Sequence, residues 1–466
     1  MNPYANHQPL HFSDVHFDES LIKKYNRQGP RYTSYPTALE FLPIADGVEQ
    51  QILAKKDPKT PISLYFHIPF CRHLCYYCGC NKIITKKNSD AGDYLDYLIK
   101  EVKHKKSYLN GNPIVKQLHL GGGTPTFFSD DELVALWEFL QDEFEFAPDG
   151  DYSVEIDPRE LGEHTLTTLR QLGFNRLSFG VQDLNEKVQI AVNRIQPESL
   201  IRQVMADARK LGFCSINIDL IYGLPHQTIK SMADTVARII DISPDRLSIF
   251  NYAHLPERFV AQRRIKNEDL PSPADKLVMF GNTINTLNDA GYQYIGIDHF
   301  ARPDDAMAIA QREGKLHRNF QGYATLGECD LLAFGVSSIS QIGQDILQNH
   351  TDLTEYKHMI DDGKLPAVKH IKSNAKDKLR RYVIMNLLCH DRLDFADINA
   401  KFNIDAKSYF NNELIQLADM ADDELVVINE SGVEILPKGR ILGRSVAMLF
   451  DEYLTQKHTN RFSKVI

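Results

Sequence analysis

The chain has 466 residues, 43% apolar and 25% charged, with 62 Asp and Glu against 53 Lys and Arg and a net charge of −9. That is enough apolar material for a substantial core in two or three domains, or in one large barrel with additions. The acid excess argues against a general nucleic-acid binder, and no apolar run reaches the roughly 18 residues that a membrane span needs.

The start, MNPYANHQPLHF, has no apolar leader, and 7 cysteines in so long a chain do not make a disulfide scaffold. Reduced thiols in a cytoplasm are therefore expected. Residues 29–37, GPRYTSYPT, read as part of an extended arm over 1–55, because proline disfavours helix at and before its position. A buried strand is expected at 62–68, ISLYFHI, then a helix around 94–102, where Tyr94, Leu95, Leu98, Ile99 and Val102 share a face. Further strands are expected at 116–120, 152–156, 176–180, 215–221 and 247–252. Gly173, Gly212 and Gly291 each close a helical pattern before a strand-like run, as a left-handed helix terminus favours. This α/β rhythm predicts a parallel sheet: a partial (β/α)6 TIM-like barrel over 56–365, with its sites at the C-terminal strand ends.

Over 366–466 the pattern predicts a mainly helical, winged-helix-like domain, with helices at 376–388, 407–420 and 440–453 and a hairpin at 424–435. Between 390 and 452, 13 acidic residues face 6 Lys and Arg, so a structural or substrate-covering role is expected rather than DNA binding. No coiled coil or long exposed apolar helix is evident, so a monomer is expected.

Cys71, Cys75, Cys78 and Cys80 crowd into ten residues directly after the first strand. The C-x3-C-x2-C spacing of the first three suits three corners of a cubane iron–sulfur cluster, leaving one iron open for chemistry. Structural zinc would want a second ligand pair at finger distance, and none follows. Cys214, Cys329 and Cys389 are expected to be inert buried thiols. After the second strand, Gly121-Gly122-Gly123-Thr124 brings bare backbone to a ligand or makes a tight turn, and it is neither G-x-G-x-x-G nor a P-loop. Glu155 and Asp157 fall on one face of the third strand. Gln182, Asp183 and Arg194 follow the fourth. Asp219, inside an apolar strand, requires a partner, either a structural ion pair or a ligand. His67 supports the cysteine loop or is a satisfied core histidine.

The C-x3-C-x2-C loop and the GGGTPT run resemble the radical S-adenosylmethionine family. The segments 31–37 (RYTSYPT), 78–82 (CGCNK), 297–303 (IDHFARP) and 317–323 (HRNFQGY) narrow the likeness to the oxygen-independent coproporphyrinogen III oxidases. The resemblance implies that Cys71, Cys75 and Cys78 ligate a 4Fe–4S cluster. It implies that Cys80 does not ligate and, with Tyr65, serves catalysis. Tyr65, Gly122, Gly123, Thr124, Glu155, Asp219 and Ala253 would hold the cluster-bound S-adenosylmethionine. Gln182, Arg194, Phe320 and Ile339 would contact a second S-adenosylmethionine. The arm with Arg31 would close over the porphyrinogen, with Arg31, Arg302 and Arg318 as candidates to meet its carboxylates. The implied reaction removes a β-hydrogen from a propionate by a 5′-deoxyadenosyl radical, then carbon dioxide and one electron. Two rounds turn coproporphyrinogen III into protoporphyrinogen IX, with electrons from a reductase or flavodoxin-type donor. A haem chaperone of the same superfamily is the competing reading. Cys80 and the arm argue against it, because those relatives resemble C-x3-C-x2-C followed by Phe.

Overall fold

The computed structural model describes residues 15–454. Residues 1–14 of the expected arm, where no leader is expected, and 455–466 of the expected C-terminal domain lie outside the described residues. The expected strands form at Ile62–Ile68 (β1), Val115–Gly122 (β2), Phe146–Ile156 (β3), Arg176–Gln182 (β4), Ser215–Tyr222 (β5) and Arg246–Asn251 (β6). All neighbours from β1 to β6 pair in parallel, which gives the partial barrel. A further strand, Asp330–Phe334 (β7), joins in parallel at the free edge of β1. Past β7, Ile339–Ile342, Asp345–Asn349 and Ala367–Lys372 continue as an antiparallel meander that the sequence reading missed.

One expectation of a parallel unit fails. Gln293–Gly296 follows Gly291, but it pairs antiparallel with His299–Ala301, which runs antiparallel to β6. Only Ile297 and Asp298 separate those two strands. A parallel return needs a crossover of about a dozen residues, so a hairpin is the only connection available.

Period-2 alternation organises the barrel. On β4 and β5, Leu177, Phe179, Ile216, Ile218 and Leu220 are buried in the apolar core. The intervening Ser178, Asn217 and Asp219 border a polar cavity together with Ser153 and Glu155 of β3 and Ser248 of β6. The helix expected around 94–102 spans Ser89–Tyr108. Its buried Lys105 pairs with Glu101 at 2.8 Å and Glu49 at 3.3 Å, fastening the helix Val48–Lys55 to the barrel. Gly173, Gly212 and Gly291 all take positive φ, as expected.

After the helix Ala375–His390, the hairpin Val426–Ile428 and Gly432–Ile435 forms, with Arg392–Asp394 as a third strand. The helix expected at 407–420 is instead Ala406–Tyr409, Asn411–Gln416 and Ala418–Asp422. Asn411, Asn412 and Asp419 prefer caps to helix interiors. The helix expected at 440–453 reduces to Gly443–Ala447 between single 3-10 turns, Arg440–Leu442 and Met448–Phe450. Gly443 is a weak helix former.

The arm is fastened to this C-terminal segment. Arg444 donates to the carbonyls of Gly29, at 2.7 Å, and Pro30, at 3.2 Å. Ser445 Oγ donates to Tyr25 O, Arg381 Nε to Tyr35 O, and Tyr32 Oη to Asp451 Oδ2. Among the described residues no helix is long and apolar enough to cross a membrane.

Candidate active site

The cysteine loop leaves the C-terminal end of β1 and is held from several sides. Phe70–Cys71 pairs with Ile83–Ile84. Asn193 Nδ2 donates to Leu74 O at 2.8 Å, and Tyr76 N to Val192 O at 3.0 Å. His67 meets Asn81 O through Nε2 at 3.0 Å, so it is a loop support as well as a buried histidine. The end of β2 lies against the same loop. Gly123 N donates to Ile68 O, and Thr124 N to Phe70 O, both at 2.8 Å. A Cβ on Gly123 would meet Pro69 backbone atoms at 2.7 Å, and one on Gly122, which has φ +112°, would meet the His67 ring at 2.6 Å. The glycines are therefore required by close approach of two strand ends, rather than by a free turn.

Cys71, Cys75, Cys78 and Cys80 border one cavity of about 280 Å3 together with Glu155, Asp157, Gln182, Arg194 and Asp219. Cys75 Sγ accepts from Arg194 Nη1 at 3.5 Å and from Arg159 Nη2 at 3.6 Å. Both guanidiniums also grip Asp157, at 3.0 and 2.6 Å. Burial alone would raise the Asp157 carboxyl, but Arg194 and Arg159 outweigh it and hold it low. Thr124 Oγ1 lies 3.5 Å from Cys71 Sγ. Burial pushes the Cys71 thiol up to about 12. A hydrogen bond from Cys80, with Lys82 nearby, pulls Cys78 down to about 6, and the same bond pushes Cys80 well up.

Glu155 is anchored by Gly122 N at 3.1 Å and faces His119 Nε2 at 3.4 Å. Burial raises its carboxyl, but the His119 and Gly122 contacts outweigh this and leave it low. Its side chain is 45% accessible, yet that surface faces the cavity. Asp219 accepts from Asn217 Nδ2 at 2.7 Å and Ser178 Oγ at 3.4 Å. Burial, then the Glu155 charge, pushes it up to about 6. No cation pairs with it among the described residues, so the ion-pair alternative for Asp219 falls away. Gln182, at φ +71° beside an irregularity in the β4–β5 register, turns into the cavity. Asp183 turns away to Gln227 and Thr235 and is structural.

An adjoining cavity of about 330 Å3 shares Cys80, Gly122 and Glu155 and adds Tyr65, Phe320 and Ile339. The four residues expected to contact one second cofactor are therefore divided: Gln182 and Arg194 in the first space, Phe320 and Ile339 in the other. Tyr65 Oη lies 3.1 Å from His67 Nδ1, and its ring stacks on His119. Ala253 borders neither space and lines a third, larger cavity.

Arg31 pairs with Asp298 and sits over Phe250, which borders the cluster-loop cavity. Arg318 is buried, donates to Arg31 O at 3.3 Å and leaves Nη1 without a partner. Arg302 does not belong with them. It bonds Asp304 and Ser243 on the surface, at the far end of the helix Ile229–Ile242. Cys214 is exposed and Cys329 half-buried, against the expectation of buried thiols; Cys389 is buried. The sequence reading missed Tyr77 and Arg159 at the cavity, His119 beneath Glu155, and Phe250 between the arm and the loop. The Asp157-Pro158-Arg159 turn was the one local signal, since an Asp at a turn bonds the backbone two residues on.

The sequence profile of the Radical SAM superfamily matches residues 65–239, and that of the HemN C-terminal domain matches 374–442. The oxygen-independent coproporphyrinogen III oxidase of Escherichia coli K12 is 50% identical over 97% of this chain and 99% of its own length. The Pseudomonas aeruginosa PAO1 protein of the same name is 49% identical over 97% and 99%. The chain belongs to the oxygen-independent coproporphyrinogen III oxidase family. The solved structure of the Escherichia coli coproporphyrinogen III oxidase, HemN, described as a radical SAM enzyme, superposes with a TM-score of 0.91 at 48% identity. That match covers 95% of this chain and all of the other. A radical SAM oxidoreductase of this family uses a 4Fe–4S cluster and S-adenosylmethionine. The residues fit. The three motif thiols, with Cys80 beside them, border a space too large for one ion, and two guanidiniums beside Cys75 would offset thiolate charge.

Proposed function

We propose that this protein oxidatively decarboxylates two propionates of coproporphyrinogen III to vinyl groups, giving protoporphyrinogen IX without oxygen. The observation that carries the reading is near-full-length identity to oxidases of that name, with the three motif cysteines on one cavity. It favours the oxidase over the chaperone reading. When bound, the cluster and S-adenosylmethionine would supply the radical hydrogen abstraction that opens each propionate to loss of carbon dioxide.

The chain's own residues do the rest. Cys71, Cys75 and Cys78 would hold the cluster, and Arg159 and Arg194 would offset the charge of the Cys75 thiolate. Glu155, held low, and Asp219 would accept hydrogen bonds from the cofactor, and Gly122, Gly123 and Thr124 would line its seat. Cys80, which borders both cavities, serves catalysis with Tyr65. Two adjoining spaces that share Cys80, Gly122 and Glu155 support two S-adenosylmethionine molecules. Arg31 and Arg318 meet substrate carboxylates; the unpartnered Nη1 of Arg318 supports this. Closure by the arm keeps water from a reactive alkyl radical. The division into arm (1–55), catalytic barrel (56–365) and C-terminal domain (366–466) is supported by profile matches that fall inside the last two. The protein acts as a cytoplasmic monomer with a reductase or flavodoxin-type donor, and needs neither nucleic acid nor membrane.

The test is anaerobic incubation of reconstituted protein with S-adenosylmethionine, a reductant and coproporphyrinogen III. Vinyl product is expected; methionine formed without it would refute the substrate.

A further inference from the structure

A cavity of about 730 Å3, larger than the two at the cysteine loop, lies between the arm and the C-terminal ends of β5 and β6. Sites for small organic ligands run from about 300 to 1,000 Å3. Tyr222, Tyr252, Leu255 and Leu277 give it apolar walls. Its charged lining is of one sign: Lys23, Arg31, Lys276 and the titratable His254, with no Asp or Glu among the described residues. This is notable in a chain where acids outnumber bases. Lys23 and Arg31 already have acid partners, Glu19 and Asp298. Lys276 has none among the described residues. Its Nζ lies 3.5 Å from the Tyr252 carbonyl and 5.9 Å from that ring's centroid. A half-buried ammonium without a counter-charge is costly, and burial pulls its pKa down. Arg31 links this cavity to the cluster loop, because its guanidinium lies over Phe250.

We propose that this cavity seats the tetrapyrrole and that Lys276 forms a salt bridge with one of its non-reacting propionates. The inference rests on the substrate reading above. A tetrapyrrole joins apolar faces to carboxylates at the rim, which matches apolar walls edged by cations. S-adenosylmethionine also carries a carboxylate, so both ligands are assayed.

Binding of coproporphyrin III to the full-length, anaerobically reconstituted protein is read by fluorescence quenching, with the neutral tetramethyl ester as control. K276Q is expected to weaken coproporphyrin III binding about tenfold, the size of one charged hydrogen bond. K276R should restore it, and ester binding should not change. Wild-type affinity in K276Q, equal loss of the ester, or a loss of S-adenosylmethionine binding instead would each overturn the assignment. If wild type makes vinyl product and K276Q binds normally, only the Lys276 role fails. If wild type neither binds the porphyrin nor makes vinyl product, the substrate reading fails with it.

Discussion

Cys78 and Cys80 stand two residues apart, yet Cys78 borders the cluster-loop cavity alone while Cys80 borders both adjoining spaces. C80S should keep its iron while turnover falls about a hundredfold, as for loss of a catalytic proton donor. Iron analysis and a vinyl assay on the same sample check this, and lost iron would make Cys80 a ligand. Asp219 gives a pH prediction. Its folded carboxyl is raised to about 6 from 3.8, so the native state binds more protons between those values. The ligand-free protein therefore loses stability as pH rises through that window. D219N should be about 1–2 kcal/mol more stable than wild type at pH 7.5, with no gain near pH 3.5, as thermal melts would show. R194M should cost about 3–5 kcal/mol, because Asp157 would keep a buried charge with one partner fewer. At this scale the cysteine motif was legible, because ligand spacing along one loop is local. The grip of Arg159 and Arg194 on Cys75 was not, because only the fold brings residues 75, 159 and 194 together. Arg302 was misjudged for the same reason: composition marks a cation, but not the end of the barrel it occupies.

Among elements, the six core strands were legible because Ile, Leu, Val and Phe alternate with small polar residues, and glycine closes the helices between them. The meander beyond β7 was not. Its strands are short, and Ile339–Ile342 and Asp345–Asn349 are joined by just Gly343 and Gln344. The helix Ser89–Tyr108 carries a pairing that period alone does not reveal. Its Lys105 satisfies two buried carboxylates, and Glu101 also accepts from Tyr356 and Gly335 N. K105A would leave Glu49 and Glu101 confronting each other. A loss of about 3–5 kcal/mol is expected, measured by denaturant midpoint at unchanged m.

Across the whole molecule, the arm and the C-terminal domain form one fastening. Y32F removes the hydroxyl that Asp451 accepts from, and Asp451 is already raised by burial. The variant should lose about 1–3 kcal/mol, with faster proteolysis confined to the arm. The two halves of that fastening lie some 400 positions apart, so Gly29 and Pro30 leave the ribosome well before Arg444. A nascent chain can thus shape its cysteine loop before the guanidinium that pins residues 29 and 30 has been made.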